Sequence, residues 1–87
     1  MTSRQLKDVL DAEVVARPLL LVVDLSRLTF MDSWALHVIL VASRDLRAAG
    51  GALALAHPPA EVRRLLELSG ADKLVAVHAT VQDAVRR

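Results

Sequence analysis

The sequence predicts an α/β fold in which three largely parallel strands are connected by four helices. Two short runs, residues 19–23 and Ala52–Ala56, are apolar at every position, which is typical of strands covered on both faces. Segments with apolar residues at helical spacing precede, separate and follow these runs. Because strands connected through helices run parallel, the expected element order is α-β-α-β-α-β-α.

The first half of the chain contains two predicted helices and one strand. Residues 2–15 form an amphipathic helix with an apolar side made of Leu6, Val9, Leu10 and Val14. Pro18 ends this segment, and the first strand spans residues 19–24. A long helix is expected over residues 33–49, capped by Asp32 or Ser33.

The second half repeats the alternation in shorter elements. Gly50 suits the left-handed position after the long helix, and the second strand spans Ala52–Ala56. A helix over Ala60–Ser69 and a third strand over residues 73–77 are expected to follow. Thr80 is positioned to cap a last, short helix.

Length and composition limit the classes of function. A chain of 87 residues forms one small domain, residues 1–87. Only 2% of the residues are aromatic and the net charge is +1, which argues against a base-stacking or nucleic-acid surface. No cysteine is present and no apolar run approaches the roughly 20 residues of a membrane span. We therefore expect a cytoplasmic protein without membrane insertion or thiolate chemistry.

Residues 24–36 are the most informative stretch for function. Asp24 ends the first strand, and the loop that follows delivers Asp32 and Ser33 to the first turn of the long helix. Free N–H groups and the positive end of the helix dipole favour negative charge at that position. The sequence therefore predicts a polar, anion-tolerant surface there.

Four motifs occur in order along the chain: Asp24-Leu25-Ser26 with Phe30-Met31-Asp32-Ser33, then Arg47-Ala48-Ala49-Gly50-Gly51, His57-Pro58-Pro59-Ala60-Glu61 and Leu68-Ser69-Gly70-Ala71-Asp72. Together they resemble the signature of STAS domains, in particular that of the bacterial anti-sigma-factor antagonists. The resemblance covers essentially the whole chain. It implies a STAS-like fold, and four motifs at matching spacings make it specific.

The resemblance implies a partner-switching regulator that is not an enzyme and needs no cofactor or metal. In this family the antagonist binds an anti-sigma factor, often a GHKL-type protein kinase. That kinase phosphorylates a serine at a helix start and so breaks the complex. Ser33 matches this serine. The partner-binding surface is expected to comprise Asp24, Ser26, Asp32, Ser33, Trp34 and His37.

The sequence departs from the family pattern in three places. Members usually begin with two strands before the first helix, whereas this sequence begins at that helix. The strand of residues 19–23 should then lie at an open sheet edge, and we expect a homodimer through that edge. The alternatives to a homodimer are a partner protein that supplies the missing strands, or a shortened coding sequence. Trp34 replaces a small serine and Ala35 replaces a glycine.

Several residues have a second interpretation. Ser33 is either a phosphoacceptor or a plain helix cap, and the two roles are compatible. Trp34 either contacts a partner or covers its own core. Asp24 and Asp32 are either metal or catalytic groups, or ordinary turn and cap residues. His37 lies four residues after Ser33, so the two would share a helix face in a small hydrolase, although no nucleophile-elbow motif is present.

His57 and His78 each follow a predicted strand. They therefore lie at the carboxyl edge of the sheet, where they either bind an anion or metal or are ordinary loop residues. One further function stays open beside the switched antagonist, namely a STAS accessory subunit of a transporter or stress-signalling assembly that acts without phosphorylation.

Overall fold

The computed structural model describes residues 2–28 and 31–86, and it confirms the predicted mixed α/β architecture. Thr29 and Phe30, which belong to the first motif, lie outside the described residues. The described elements are α1 (Ser3–Ala16), β1 (Leu20–Asp24), α2 (Ser33–Ala48), β2 (Ala52–Ala56), α3 (Ala60–Ser69), β3 (Ala76–His78) and α4 (Val81–Arg86).

The sheet has the order β1-β2-β3, and both pairings are parallel. Leu20 is in register with Ala52, and Ala54 is in register with Ala76. Within the described part of the chain β1 has β2 as its one neighbour, so the prediction that this strand lies at a sheet edge is confirmed.

The two faces of the sheet carry different side chains. Because side chains alternate along a strand, Leu21, Val23, Leu53 and Leu55 share one face, and this face belongs to the main apolar core. The opposite face holds the alanines of β2 together with Leu20 and Val22. Helix α4 packs against all three strands, and its Ala84 is fully buried. Small side chains on β2 let this short helix approach closely.

The main core joins α1, α2 and α3 to the sheet. Leu6 and Leu10 of α1 and Ile39 and Leu46 of α2 are at most 1% exposed, and α1 packs along α2. Leu66 contributes the α3 side of the same cluster. Burial of this kind contributes roughly 25 cal/mol per Å² of apolar surface, so these helices are held by packing more than by helix propensity.

Helix and turn signals in the sequence are matched by the local geometry. Thr2 caps α1 through its side chain, and Gln5 completes a capping box. The Thr80 hydroxyl accepts a hydrogen bond from the Asp83 N–H at 3.0 Å, as expected for the cap of α4. Gly51 passes so close to the backbone that a Cβ there would collide with the Pro18 carbonyl oxygen, which holds the start of β1 against the turn before β2.

The third strand differs from its prediction. It spans Ala76–His78, whereas Lys73, the first residue of the region predicted as strand, ends one turn of 3₁₀ helix over Ala71–Lys73. Gly70 turns the chain with a φ of +79°, and the Leu74 and Val75 N–H groups both donate to the Ala71 carbonyl. These tight turns bury Ala71 and Val75, so Val75, which belongs to the predicted strand, is a core contact of a turn instead.

The expectation that both faces of the first strand are covered is also wrong in part. Leu19 is 83% exposed and precedes β1, while Leu20, Leu21 and Val22 are half-buried. This partial exposure has two causes. β1 lies at the sheet edge, and α4, which packs on the sheet face opposite the main core, is only six residues long.

Among the described residues, no helix is both long enough and apolar enough to cross a membrane.

Candidate functional site

The loop between β1 and α2 is held by buried apolar side chains. Leu25, Leu28 and Met31 are 0%, 2% and 7% exposed. The Leu25 N–H donates to the Ala56 carbonyl at 2.8 Å, and the Leu28 N–H donates to the Leu25 carbonyl at 2.9 Å. The described parts of the loop are thus fixed to the sheet and core, which positions the polar residues at both of its ends.

Of the two residues predicted to cap α2, Asp32 and Ser33, Asp32 forms the cap. Asp32 has extended backbone geometry, and its side-chain Oδ1 accepts a hydrogen bond from the Ala35 N–H at 2.8 Å. Ser33 is the first residue of the helix and is exposed. No hydrogen bond joins the Ser33 hydroxyl to another described residue. The interpretation of Ser33 as the helix cap is therefore wrong, and Ser33 is an exposed residue next to the cap.

Trp34 and His37 lie along a groove between α1 and α2. Trp34 is 43% exposed, so it does not fold into the main core. The groove has a volume of about 550 Å³, and its α2 side follows one helical stripe from Trp34 through Val38 and Val41 to Asp45. On α1, the groove is lined by Lys7, Asp11, Val14 and Val15, of which Lys7 and Asp11 form an ion pair.

Asp24 and Ser26 form a tight polar turn at the end of β1. The Ser26 N–H donates to Asp24 Oδ1 at 2.9 Å. This bond and the Ser26 hydroxyl chiefly hold the pKa of Asp24 below its ordinary value, with lesser electrostatic contributions from His57 and Arg27 and against an opposing effect of desolvation. Asp24 is thus ionised at neutral pH and serves as a turn residue with a fixed negative charge.

A second depression, about 610 Å³ in volume, lies beside this turn. It is lined by Asp24, Ser26 and Arg27 from the chain after β1, and by Gln5, Asp8 and Val9 from α1. We call it the edge cleft, and we call the depression beside Trp34 the helix groove. The six residues expected on one surface are therefore divided, since Asp24 and Ser26 line the edge cleft whereas Trp34 and His37 line the helix groove.

The α1 contributions to both depressions were not predicted from the sequence. Val9 is 53% exposed although it belongs to the predicted apolar side of α1, and Val15 is 81% exposed. An apolar stripe wider than one buried face is the signal that identifies such residues. It predicts uncovered surface on a helix but not which neighbour lies beside it.

The histidine interpretations are resolved only in part. His57 follows β2 in a left-handed conformation, with a φ of +53°, and its N–H donates to the His78 carbonyl at 3.2 Å. His57 lies near enough to Asp24 to affect its pKa. His78 Nε2 is buried and has no hydrogen-bond partner among the described residues. Within residues 2–28 and 31–86, no three histidine or acidic side chains group as metal ligands would.

Ser33 and His37 do not form a nucleophile–base pair in this structure. No hydrogen bond connects them, and His37 lines the helix groove whereas Ser33 does not. The arrangement that a serine hydrolase requires, a base within hydrogen-bond reach of the hydroxyl, is not formed between these two described residues.

Comparison with known proteins places this geometry in a family. The model of the STAS domain matches residues 1–84. A curated protein of Thermotoga maritima named "Putative anti-sigma factor antagonist" is 33% identical over 61 residues, which is 70% of this chain. The match spans 54% of that relative, about half of its length.

Two solved structures share the fold. The NMR structure of the protein TM1081 superimposes with a TM-score of 0.80 and 26% identity, covering 97% of this chain and 68% of the other. The crystal structure of a protein described as a "putative anti-sigma factor antagonist" from Thermotoga maritima gives a TM-score of 0.79 and 28% identity, covering 95% of this chain and 72% of the other.

Proposed function

The chain belongs to the STAS domain family, and we propose that it is an anti-sigma-factor antagonist that Ser33 phosphorylation switches off. In the unmodified state it binds an anti-sigma factor, often itself a GHKL-type protein kinase, and so releases a sigma factor. The family match and the name of the Thermotoga maritima relative support the general function. The proposal includes action in the cytoplasm, no catalysis of its own, and one functional domain over residues 1–87.

The observation that supports the switch is that Asp32, and not Ser33, caps the start of α2. Because Asp32 caps the helix, the Ser33 hydroxyl has no hydrogen bond to another described residue that modification would break. The first N–H groups of any helix have no carbonyl partner within the helix, and Asp32 satisfies that of Ala35 in α2. The remaining groups at a helix start tolerate a phosphate. Ser33 can thus accept a phosphoryl group without disturbing the fold.

Charge explains how this modification ejects a partner. A phosphoserine carries about −1.5 to −2 charges at neutral pH. It would lie directly beside the Asp32 carboxylate, on the loop that begins at the ionised Asp24. A partner surface selected for the unmodified helix start then faces repulsion and loses its fit.

We propose that the partner contacts Asp24, Ser26, Asp32, Ser33, Trp34 and His37. Trp34 is the expected anchor, because it is half-exposed, lies next to Ser33 and borders an apolar groove. Asp24 and Ser26 would extend this contact across the N-terminal half of α1.

Phosphate transfer tests the switch directly. With ATP and a cognate GHKL-type kinase, we expect one phosphate per chain in the wild type and none in Ser33→Ala. Ser69→Ala is the control, since it removes an exposed hydroxyl on α3, outside the proposed partner surface, and should keep full incorporation. Incorporation that persists in Ser33→Ala would contradict the proposal. Tight binding that Ser33→Glu leaves unchanged would instead identify a STAS accessory subunit that acts without phosphorylation.

A second copy of the chain is the other proposed partner. β1 presents an apolar edge that is unpaired in the described sheet, and exposed strand edges pair with other chains unless they are blocked. We propose a homodimer through this edge, to be tested by sedimentation at micromolar concentration.

A further inference from the structure

We infer that two copies of the chain pair β1 with β1 in antiparallel orientation, centred on Val22, with the turn before each β1 entering the edge cleft of the other copy. This inference rests on the homodimer of the proposed function and defines its register. It is independent of the phosphorylation of Ser33.

Hydrogen bonds determine which backbone groups of β1 face outward. The Leu19 carbonyl accepts from the Ala52 N–H at 3.0 Å, and the Leu25 N–H donates to the Ala56 carbonyl at 2.8 Å. In a parallel pair the residues of one strand alternate between bonding to the neighbour and facing away. Leu19, Leu21, Val23 and Leu25 therefore bond towards β2, and Leu20, Val22 and Asp24 direct their N–H and C=O groups to the open edge.

These outward groups complement a second copy of themselves. A twofold axis at Val22 places Val22 opposite Val22 of the second copy, and Leu20 opposite Asp24 in both directions. Each of these is a hydrogen-bonded antiparallel pair, in which both residues exchange N–H and C=O groups. Every outward backbone group of β1 then has a partner, which a shift of the axis by one residue would not achieve.

The same register carries the segment before β1 into the edge cleft. Leu19 of the second copy comes opposite Leu25, on the sheet face that α1 covers, where Val9 is 53% exposed. Leu19 is itself 83% exposed, so the pairing covers two apolar side chains at once. By the same register Arg17 of the second copy comes opposite Arg27, in a cleft that Asp8 and Asp24 also line. The complementarity at this position is therefore that of the apolar contact.

Edge pairing has a consequence for the regulatory surface. Asp24 and Ser26 line the edge cleft and become covered, whereas Trp34 and His37 line the helix groove on the other side of α1. The dimer and an anti-sigma factor therefore compete for Asp24 and Ser26.

Single cysteines test the register, because the chain has none of its own. Paired Val22 Cα atoms should lie about 5.5 Å apart, within the range that a disulfide spans. Leu20 is the matched control, since it is half-buried on the same face, yet its two copies should lie about 14 Å apart. On mild oxidation we expect Val22→Cys to form a covalent dimer and Leu20→Cys to remain uncross-linked. Absence of cross-linking in Val22→Cys, or equal cross-linking in both variants, would overturn the register.

A charge introduced at the edge provides a second test that does not depend on disulfide geometry. Leu19→Asp places a carboxylate beside Asp8 and Asp24 of the other copy, and we expect at least a tenfold rise in the dimer dissociation constant. Leu68→Asp is the control, because Leu68 is 74% exposed but lies on α3, away from this edge. An unchanged dissociation constant in Leu19→Asp would contradict the inference. Anti-sigma factor binding, measured separately on the reduced wild type, tests the regulatory function, and its failure would leave the cross-linking result intact.

Discussion

The two depressions beside α1 differ in character although one short motif supplies residues to both. The helix groove is lined mostly by apolar residues and runs along α2 from Trp34, whereas Val9 is the one apolar residue among the described residues that line the edge cleft. They lie on opposite sides of the buried stripe of α1 that contains Leu6 and Leu10. The difference teaches that neighbours in sequence, here residues 24–37, can reach two separate depressions because a helix lies between them.

The largest expected effect comes from the buried anchor of the loop between β1 and α2, which connects Asp24 of the edge cleft to Trp34 of the helix groove. Leu28 is 2% exposed in the loop between β1 and α2. Leu28→Ala should lower the free energy of unfolding by about 2–5 kcal/mol, through lost burial and the cavity left behind. Urea denaturation measures this loss. Leu74→Ala, at a site 59% exposed, should change it by less than about 0.5 kcal/mol. Equal effects of the two substitutions would show that the loop is not anchored as described.

Trp34→Ala tests whether the helix groove holds the anchor of anti-sigma factor binding. If Trp34 is the anchor, its removal should weaken binding by about 2 kcal/mol, or roughly 30-fold, in calorimetry. Dimerisation through the edge cleft should be unaffected, because Trp34 does not line that cleft. A loss of dimerisation without a loss of binding would reverse the assignment of the two depressions.

The next effect concerns the cap of α2. Substituting Asp32 should lower stability more than substituting the adjacent Ser33. Asp32→Ala removes the acceptor of the Ala35 N–H and should cost about 1 kcal/mol of stability. Ser33→Ala should change stability by less than about 0.5 kcal/mol, because the hydroxyl has no hydrogen bond to the described residues. Thermal unfolding of both variants compares them. A larger loss of stability in Ser33→Ala than in Asp32→Ala would contradict the assignment of Asp32 as the cap.

The smallest expected effect is electrostatic and belongs to the edge cleft. The pKa of Asp24 is lowered in the folded state, chiefly by the Ser26 N–H. A lowered folded pKa contributes stability above the unfolded value, about 3.9, and this contribution disappears as the pH falls through the folded pKa. Wild type and Asp24→Asn should thus differ slightly near neutral pH and converge in acid. Carbon-13 titration should place the Asp24 pKa below its ordinary range, and His57→Ala should raise it. A difference between the variants that grows towards low pH would contradict this sign.

Much of the fold could be predicted from local signals. The limits of β2 and α3 follow from an unbroken apolar run and from a helical stripe closed by Gly70. Residues 73–75 could not be assigned correctly, because the choice between strand and turn depends on burial of Ala71 and Val75 against distant parts of the chain. Local sequence contains no information about that contact.

The candidate site shows the same division between local and distant information. That Asp32 and Ser33 begin α2 follows from the sequence, and which of them caps depends on side-chain geometry that either residue type permits. The separation of Asp24 from Trp34 depends on α1 passing between them, a tertiary placement that periodicity does not encode.

The central claim is that modification of Ser33 alone breaks the complex with the anti-sigma factor. Isothermal titration calorimetry of that factor with unmodified and with Ser33-phosphorylated protein tests it most directly. We predict that phosphorylation raises the dissociation constant at least tenfold, equivalent to about 1.4 kcal/mol, while the folded structure stays unchanged by circular dichroism. Equal dissociation constants for the two forms would contradict the account.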